Sequence, residues 1–116
     1  MVEDDELVRT HAAAQLRGLG YRVSVAGSGP EALRLLDALW PVDLLFTDLV
    51  MPGGMNGQDL VREAARRHPA LRCLYTSGYA EASSDLAAAG SLLLNKPYRR
   101  QDLAAKVREA LEPAEA

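Results

Sequence analysis

Residues 42–46, apolar but for Asp43, lead into Thr47-Asp48, and the chain then breaks at Pro52, Gly53, Gly54, Asn56 and Gly57. A run of this length and apolar density reads as a strand buried on both faces, and such strands belong to parallel sheets covered by helices on either side. A buried strand gains nothing by ending in a carboxylate. Asp48 is therefore expected at the C-terminal edge of a central strand, where open α/β sheets carry their ligand chemistry. The plainer reading, that Asp48 only caps the turn, is decided by the rest of the chain.

The rest of the chain repeats the same unit. Met1-Val2 reads as the tail of a strand, cut short by the acids Glu3, Asp4, Asp5 and Glu6. Val8, Ala12, Leu16 and Leu19 recur at helical spacing, which predicts a helix over 6–19 ended by Gly18 and Gly20. Tyr21, Val23 and Val25 alternate with Arg22 and Ser24, a strand pattern over 21–26. Ser28, Pro30 and Glu31 form an N-terminal signature for a helix that stops by Trp40-Pro41, with Glu31 as the capping-box partner. A helix is expected over 57–67, ended by Pro69, then a strand over 71–76 and a weak short helix over 81–89. A short strand over 92–94 and an amphipathic helix over 101–111 close the series. Five strand–helix units with short connections predict one α/β domain over residues 1–116: a parallel sheet with helices on both faces.

Composition removes several alternatives. The net charge of −3 gives no electrostatic reason for direct nucleic-acid binding. No apolar run approaches the roughly 18 residues of a membrane span, and the acids after Met1 do not suit a secretory leader. Cys73 is the only cysteine, which excludes an internal disulfide and fits a reducing cytoplasm. It is expected as a small core residue. His11 and His68 are expected at the surface or at an edge.

In a parallel sheet all strand C-termini share one rim. The first strand delivers Glu3 and Asp4 there, the third Asp48, the fourth Thr76 and Ser77, and the fifth Lys96. Two carboxylates about 4 Å apart repel by roughly 4 kcal/mol at an effective dielectric of about 20. Either a raised carboxylate pKa or a bound divalent cation relieves this. Hard oxygen ligands without His or Cys favour Mg²⁺, which keeps waters that phosphate oxygens can replace. The chemistry indicated is phosphoryl transfer, with charge neutralised by metal and lysine.

These residues resemble the receiver domains of bacterial two-component response regulators. The likeness is carried by Val2-Glu3-Asp4-Asp5-Glu6, Thr47-Asp48-Leu49-Val50-Met51-Pro52-Gly53-Gly54-Met55-Asn56-Gly57, Tyr75-Thr76-Ser77-Gly78-Tyr79 and Asn95-Lys96-Pro97-Tyr98, in that order and at the family's spacing. The resemblance implies a flavodoxin-like (βα)5 three-layer sandwich with strand order 2-1-3-4-5. It implies that Asp48 accepts a phosphoryl group from the phosphohistidine of a sensor histidine kinase or histidine phosphotransfer protein. Glu3, Asp4, Asp48 and the backbone carbonyl of Val50 would hold Mg²⁺, with Asp4 the direct ligand and Glu3 acting through water. Lys96 would contact the phosphoryl oxygens, Thr76 would start the conformational switch, and the Lys96-Pro97 bond would be cis. The implied protein is a signalling switch rather than a conventional enzyme. The second motif and the Tyr75–Tyr79 motif look most like receivers attached to kinases. Receivers often pair through the fourth and fifth helices and the fifth strand, which leaves a homodimer open here.

Four departures from the family matter. The first strand keeps only Met1 and Val2, which points to a misassigned or trimmed start or, for a chain that is whole as given, to lost buried pairing and reduced stability. Leu93 stands where many members carry an aromatic coupled to the threonine, so the output is expected to run through the 81–89 segment. Val50 and Gly78 lack polar side chains, which predicts slow self-hydrolysis. Ser77 is small, which leaves Asp48 open to a donor. Other strand-end aspartate chemistries fit poorly. A haloacid dehalogenase-type phosphatase needs a second Asp where Val50 stands, and a flavodoxin phosphate loop would be repelled by Glu3 to Glu6. A receiver fold used only for docking would not need every active-site position filled.

Overall fold

The computed structural model describes residues 1–49, 55–77, 93–95 and 98–111. Its elements are α1 (Glu6–Gly18), α2 (Gly29–Leu39), β1 (Leu44–Asp48), α3 (Gly57–Arg67), β2 (Arg72–Ser77), β3 (Leu93–Asn95) and α4 (Arg100–Leu111). The expected 81–89 helix, the Lys96-Pro97 bond, Val50 and Gly78 lie outside the described residues.

β1, β2 and β3 pair in parallel in that order. Val2 extends the sheet beyond β1 by bridging Thr47, and its other side bridges Ala26, both in parallel sense. The spatial order is therefore the 21–26 segment, Met1–Glu3, β1, β2, β3, which is the expected 2-1-3-4-5 arrangement. The 21–26 segment does not form the strand its alternation predicts. It makes a single bridge, at Ala26 to Val2.

The two faces of the sheet bury different sets of side chains. Leu45 packs with Val2 and Ala26 under α2 (Ala32, Leu33, Leu36) and α3 (Leu60, Ala64). Phe46 and Leu74 pack with Leu94 on the opposite face, under Leu16 of α1 and Leu103, Val107 and Ala110 of α4. Adjacent β1 residues thus serve opposite cores, as the pleat requires. This is the three-layer sandwich that an apolar run without polar alternation demands. Cys73 is half-buried against the first core, and burial pushes its thiol up to about 11.

The helix ends show how the local sequence sets the frame. Asp5 caps α1 by accepting from the Leu7 and Val8 amides at 3.0 and 3.1 Å. Gly20 follows α1 with φ of 101°, a conformation that favours glycine. Ser28 caps α2, but Glu31 reaches past it to the Gly27 amide at 2.6 Å, so the expected capping box closes one residue early. Asn56 and Asp59 make a complete capping box on α3. α2 and α3 are tied at their C-terminal ends, where Arg67 and His68 both reach Asp37 and the His68 ring stacks on Trp40 with centroids 3.9 Å apart. His68 is thus engaged in holding two helices together. Among the described residues no helix is long and apolar enough to cross a membrane.

Candidate functional site: an acidic rim at the strand ends

Three segments bring their ends to one place. Met1–Glu3 is held centrally by backbone bonds on both sides: Val2 donates to Phe46 O at 2.7 Å and accepts from the Asp48 amide at 3.1 Å, while Glu3 donates to Ala26 O at 3.1 Å. The chain therefore leaves the sheet at Glu3 and Asp4, level with Asp48. One carboxylate oxygen from each of Glu3, Asp4 and Asp48 lies within 4.8 Å of the others.

The four consecutive acids have divided their work, which spacing alone does not reveal. Asp5 caps the helix and Glu6 occupies its first turn, favourable to the macrodipole. Glu3 and Asp4 remain for the rim. Glu3 is only 3% exposed and Asp48 8% exposed, whereas Asp4 faces solvent. The Glu3 carboxylate accepts from the Asp5 amide at 3.2 Å, and Arg9 donates to the Glu3 carbonyl at 2.9 Å, which pins the loop. Gathering three carboxylates around one point, two of them buried, is costly without a cation. An all-oxygen donor set with one exposed member suits a hard dication that keeps part of its water shell.

β2 adds the hydroxyl. Asp48 and Thr76 are partners in the β1–β2 register, and the Leu49 amide donates to the Thr76 carbonyl at 2.8 Å. The Thr76 hydroxyl is buried and has no hydrogen-bond partner among the described residues. A buried hydroxyl left in this state costs about 1–3 kcal/mol, so it marks a place meant for a further acceptor. Lys96 and Val50 lie outside the described residues. They follow directly in sequence on Asn95, the last residue of β3, and on Leu49.

Gly57, which the sequence reading took only as a chain break and helix start, shapes this rim. Gly57 donates its amide to Leu49 O at 2.9 Å, and a Cβ built on Gly57 would meet the Asp48 carbonyl oxygen and lie 2.9 Å from Leu49 Cα. α3 therefore starts in direct contact with the Asp48 backbone, an approach open only to glycine. The Asn56-x-x-Asp59 pattern was the available signal, since a capping box fixes where that helix begins. Leu93, at the switch position of the family, is half-buried against Leu49 and Tyr75.

Comparison with known proteins agrees with this geometry. The sequence matches the response regulator receiver domain family over residues 1–108. It is 40% identical over 116 residues to the sensor kinase CckA of Brucella abortus, covering 97% of this chain and 12% of that protein. It is 32% identical to the response regulator receiver protein CpdR of the same organism, covering 96% of this chain and 93% of that one. Among solved structures, the receiver domain of the hybrid histidine kinase CckA superposes with a TM-score of 0.80 at 34% identity, covering 96% and 95% of the two chains. A receiver domain protein from Clostridium thermocellum gives a TM-score of 0.84 at 25% identity, covering 95% and 90%. The parallel order, the acidic rim and these likenesses together show that the chain belongs to the response regulator receiver domain family and serves two-component phosphorelay signalling.

Proposed function

We propose that residues 1–116 form a single receiver domain in which Asp48 is the phosphoacceptor. The donor is the phosphohistidine of a sensor histidine kinase or a histidine phosphotransfer protein. A carboxylate oxygen of Asp48 attacks phosphorus, the new P–O bond forms as the P–N bond breaks, and the histidine nitrogen leaves with the electron pair. Glu3, Asp4, Asp48 and the Val50 carbonyl would hold Mg²⁺, which when bound neutralises charge on the phosphoryl oxygens. Lys96 supplies a second positive charge to those oxygens. Thr76 donates its hydroxyl to the phosphoryl group, which gives that buried group an acceptor and draws the end of β2 toward Asp48. The domain acts as a cytoplasmic switch on a partner protein rather than as an enzyme that turns over a separate substrate.

The observation that carries this reading is the convergence of the Glu3, Asp4 and Asp48 carboxylates within 4.8 Å, with Thr76, the register partner of Asp48, holding a buried hydroxyl that has no hydrogen-bond partner among the described residues. The likeness to CckA at 40% identity supports a receiver that works within a hybrid kinase. The test is incubation with acetyl phosphate and Mg²⁺, followed by intact mass and peptide mapping. One phosphoryl group on Asp48, not taken up when Mg²⁺ is chelated beforehand and absent in Asp48→Asn, is the expected result. A folded chain that stays unmodified would overturn the assignment.

A further inference from the structure

Asp5 and Glu6 suit the positive end of α1, but Arg9 does not. A cation at the end of the first turn opposes the macrodipole, so helix chemistry alone gives no reason for it there. Side chains on a helix lean toward its N-terminus. Arg9 accordingly reaches back over the Asp5 cap, and its Nη1 donates to the Glu3 carbonyl at 2.9 Å. The half-buried guanidinium rests on Gly27: a Cβ built there would lie 2.9 Å from Nη1 and 3.8 Å from Cζ. Gly27 is itself held, its amide donating to Glu31 of α2 at 2.6 Å. The neighbouring Ala26 carbonyl accepts from the Glu3 amide at 3.1 Å. One side chain thus ties the start of α1, the end of the Met1–Glu3 segment and the loop before α2.

We infer that Arg9 is a positioning residue for the divalent cation: it fixes the peptide between Glu3 and Asp4, so that the carboxylates on either side of that peptide converge with Asp48. This deepens the proposed function and rests on it for the cation. The Glu3 carbonyl belongs to that peptide, so its bond to Arg9 sets how the peptide plane is turned. A turn of the plane would carry the two carboxylates apart, and they now offer oxygens within 4.8 Å of one another and of Asp48. The bond is charge-assisted, which makes it stronger than one between neutral groups. The same guanidinium repels a dication, so its two effects on affinity have opposite signs. A pair of partly exposed charges is worth up to about fivefold, whereas the groups that hold a metal ligand in place are worth about ten- to a hundredfold. Positioning therefore outweighs repulsion.

The test is Mg²⁺ titration of the whole chain by calorimetry, for the native, Arg9→Met and Gly27→Ala proteins. Arg9→Met removes the bond and the charge together. Gly27→Ala keeps the charge and pushes the guanidinium from its seat, at little cost to the fold because the atoms met first are the end of a flexible side chain. Mg²⁺ binding is expected to weaken about tenfold in Arg9→Met and at least about twofold in Gly27→Ala. The Mg²⁺ concentration that half-saturates acetyl phosphate uptake should rise by the same factors, with the rate at saturating Mg²⁺ near native. Without metal, exchange at the Asp5 amide, which donates to the Glu3 carboxylate at 3.2 Å, should quicken in both variants. Unchanged or tighter Mg²⁺ binding in Arg9→Met would overturn the inference, as would native affinity in Gly27→Ala. If Arg9→Met does not fold, Gly27→Ala decides alone. A native chain that binds no Mg²⁺ would overturn the proposed function as well, which separates the two failures.

Discussion

Asp48 and Thr76 face each other as register partners at the ends of β1 and β2, one carrying a carboxylate to the rim and the other a buried hydroxyl with no hydrogen-bond partner among the described residues. Under the proposed function the phosphoryl group supplies an acceptor for this hydroxyl. Thr76→Val removes the donor at nearly constant shape. Its expected effect is unchanged or slightly higher stability, by up to about 1 kcal/mol, because the desolvation cost of the hydroxyl disappears. The same variant should still take up phosphate at Asp48 and lose most of the conformational response to a beryllofluoride mimic. Urea melts and amide exchange, each with and without the mimic, check both halves.

The contact of Gly57 with the Asp48 backbone makes a sharper prediction. A methyl group at this position meets main chain, which has no rotamer to give way. Gly57→Ala is expected to destabilise the domain by about 1–3 kcal/mol, the usual range for overpacking, and to reduce phosphoryl uptake by displacing Asp48. Gly20→Ala is a useful contrast. It strains a positive φ but stands in open space, and it should cost stability without changing uptake per folded molecule.

Glu63 gives a pH dependence whose sign can be stated. Hydrogen bonds from Arg66, then from Arg67, hold its carboxyl down at about 2, against an ordinary value of 4.5. A carboxylate depressed in the fold contributes stability that is complete above the unfolded value and fades as pH falls toward the folded one. The advantage of the native chain over Glu63→Gln should therefore be constant above about pH 4.5 and shrink between 4.5 and 2. Because the pair lies at the surface, salt should diminish it. Urea midpoints across that range, at low and high salt, are the measurement.

The lifetime of the phosphoryl group follows from two side chains that are not polar. Val50 lies two residues after Asp48 and Gly78 two after Thr76, and neither can orient an attacking water. Slow loss of phosphate is expected from the native chain, with faster loss from Val50→Asn and from Gly78→Glu. Equal decay rates in all three, followed by intact mass after removal of the donor, would contradict this account.

Much of this protein can be read along the chain. The apolar density of 42–46 announces a two-sided strand, glycine and proline breaks separate the units, and the order of Glu3-Asp4, Asp48, Thr76 and Lys96 follows from which end of each strand a residue closes. Local chemistry acts over three or four residues, so caps such as Ser28 are legible, as was the Asn56–Asp59 box that went unread. Which acids serve the rim was decided only in space: Asp5 was taken by the α1 amides, which left Glu3 and Asp4 beside Asp48. The alternation of 21–26 promised a strand, but a strand needs a paired neighbour as well as a pattern, and this segment pairs at Ala26 alone. The Gly57 contact likewise depends on how closely a helix start approaches a strand end. Periodicity and turn chemistry are properties of neighbours in sequence, whereas pairing, close approach and charge clustering belong to neighbours in space, and for those the fold alone decides.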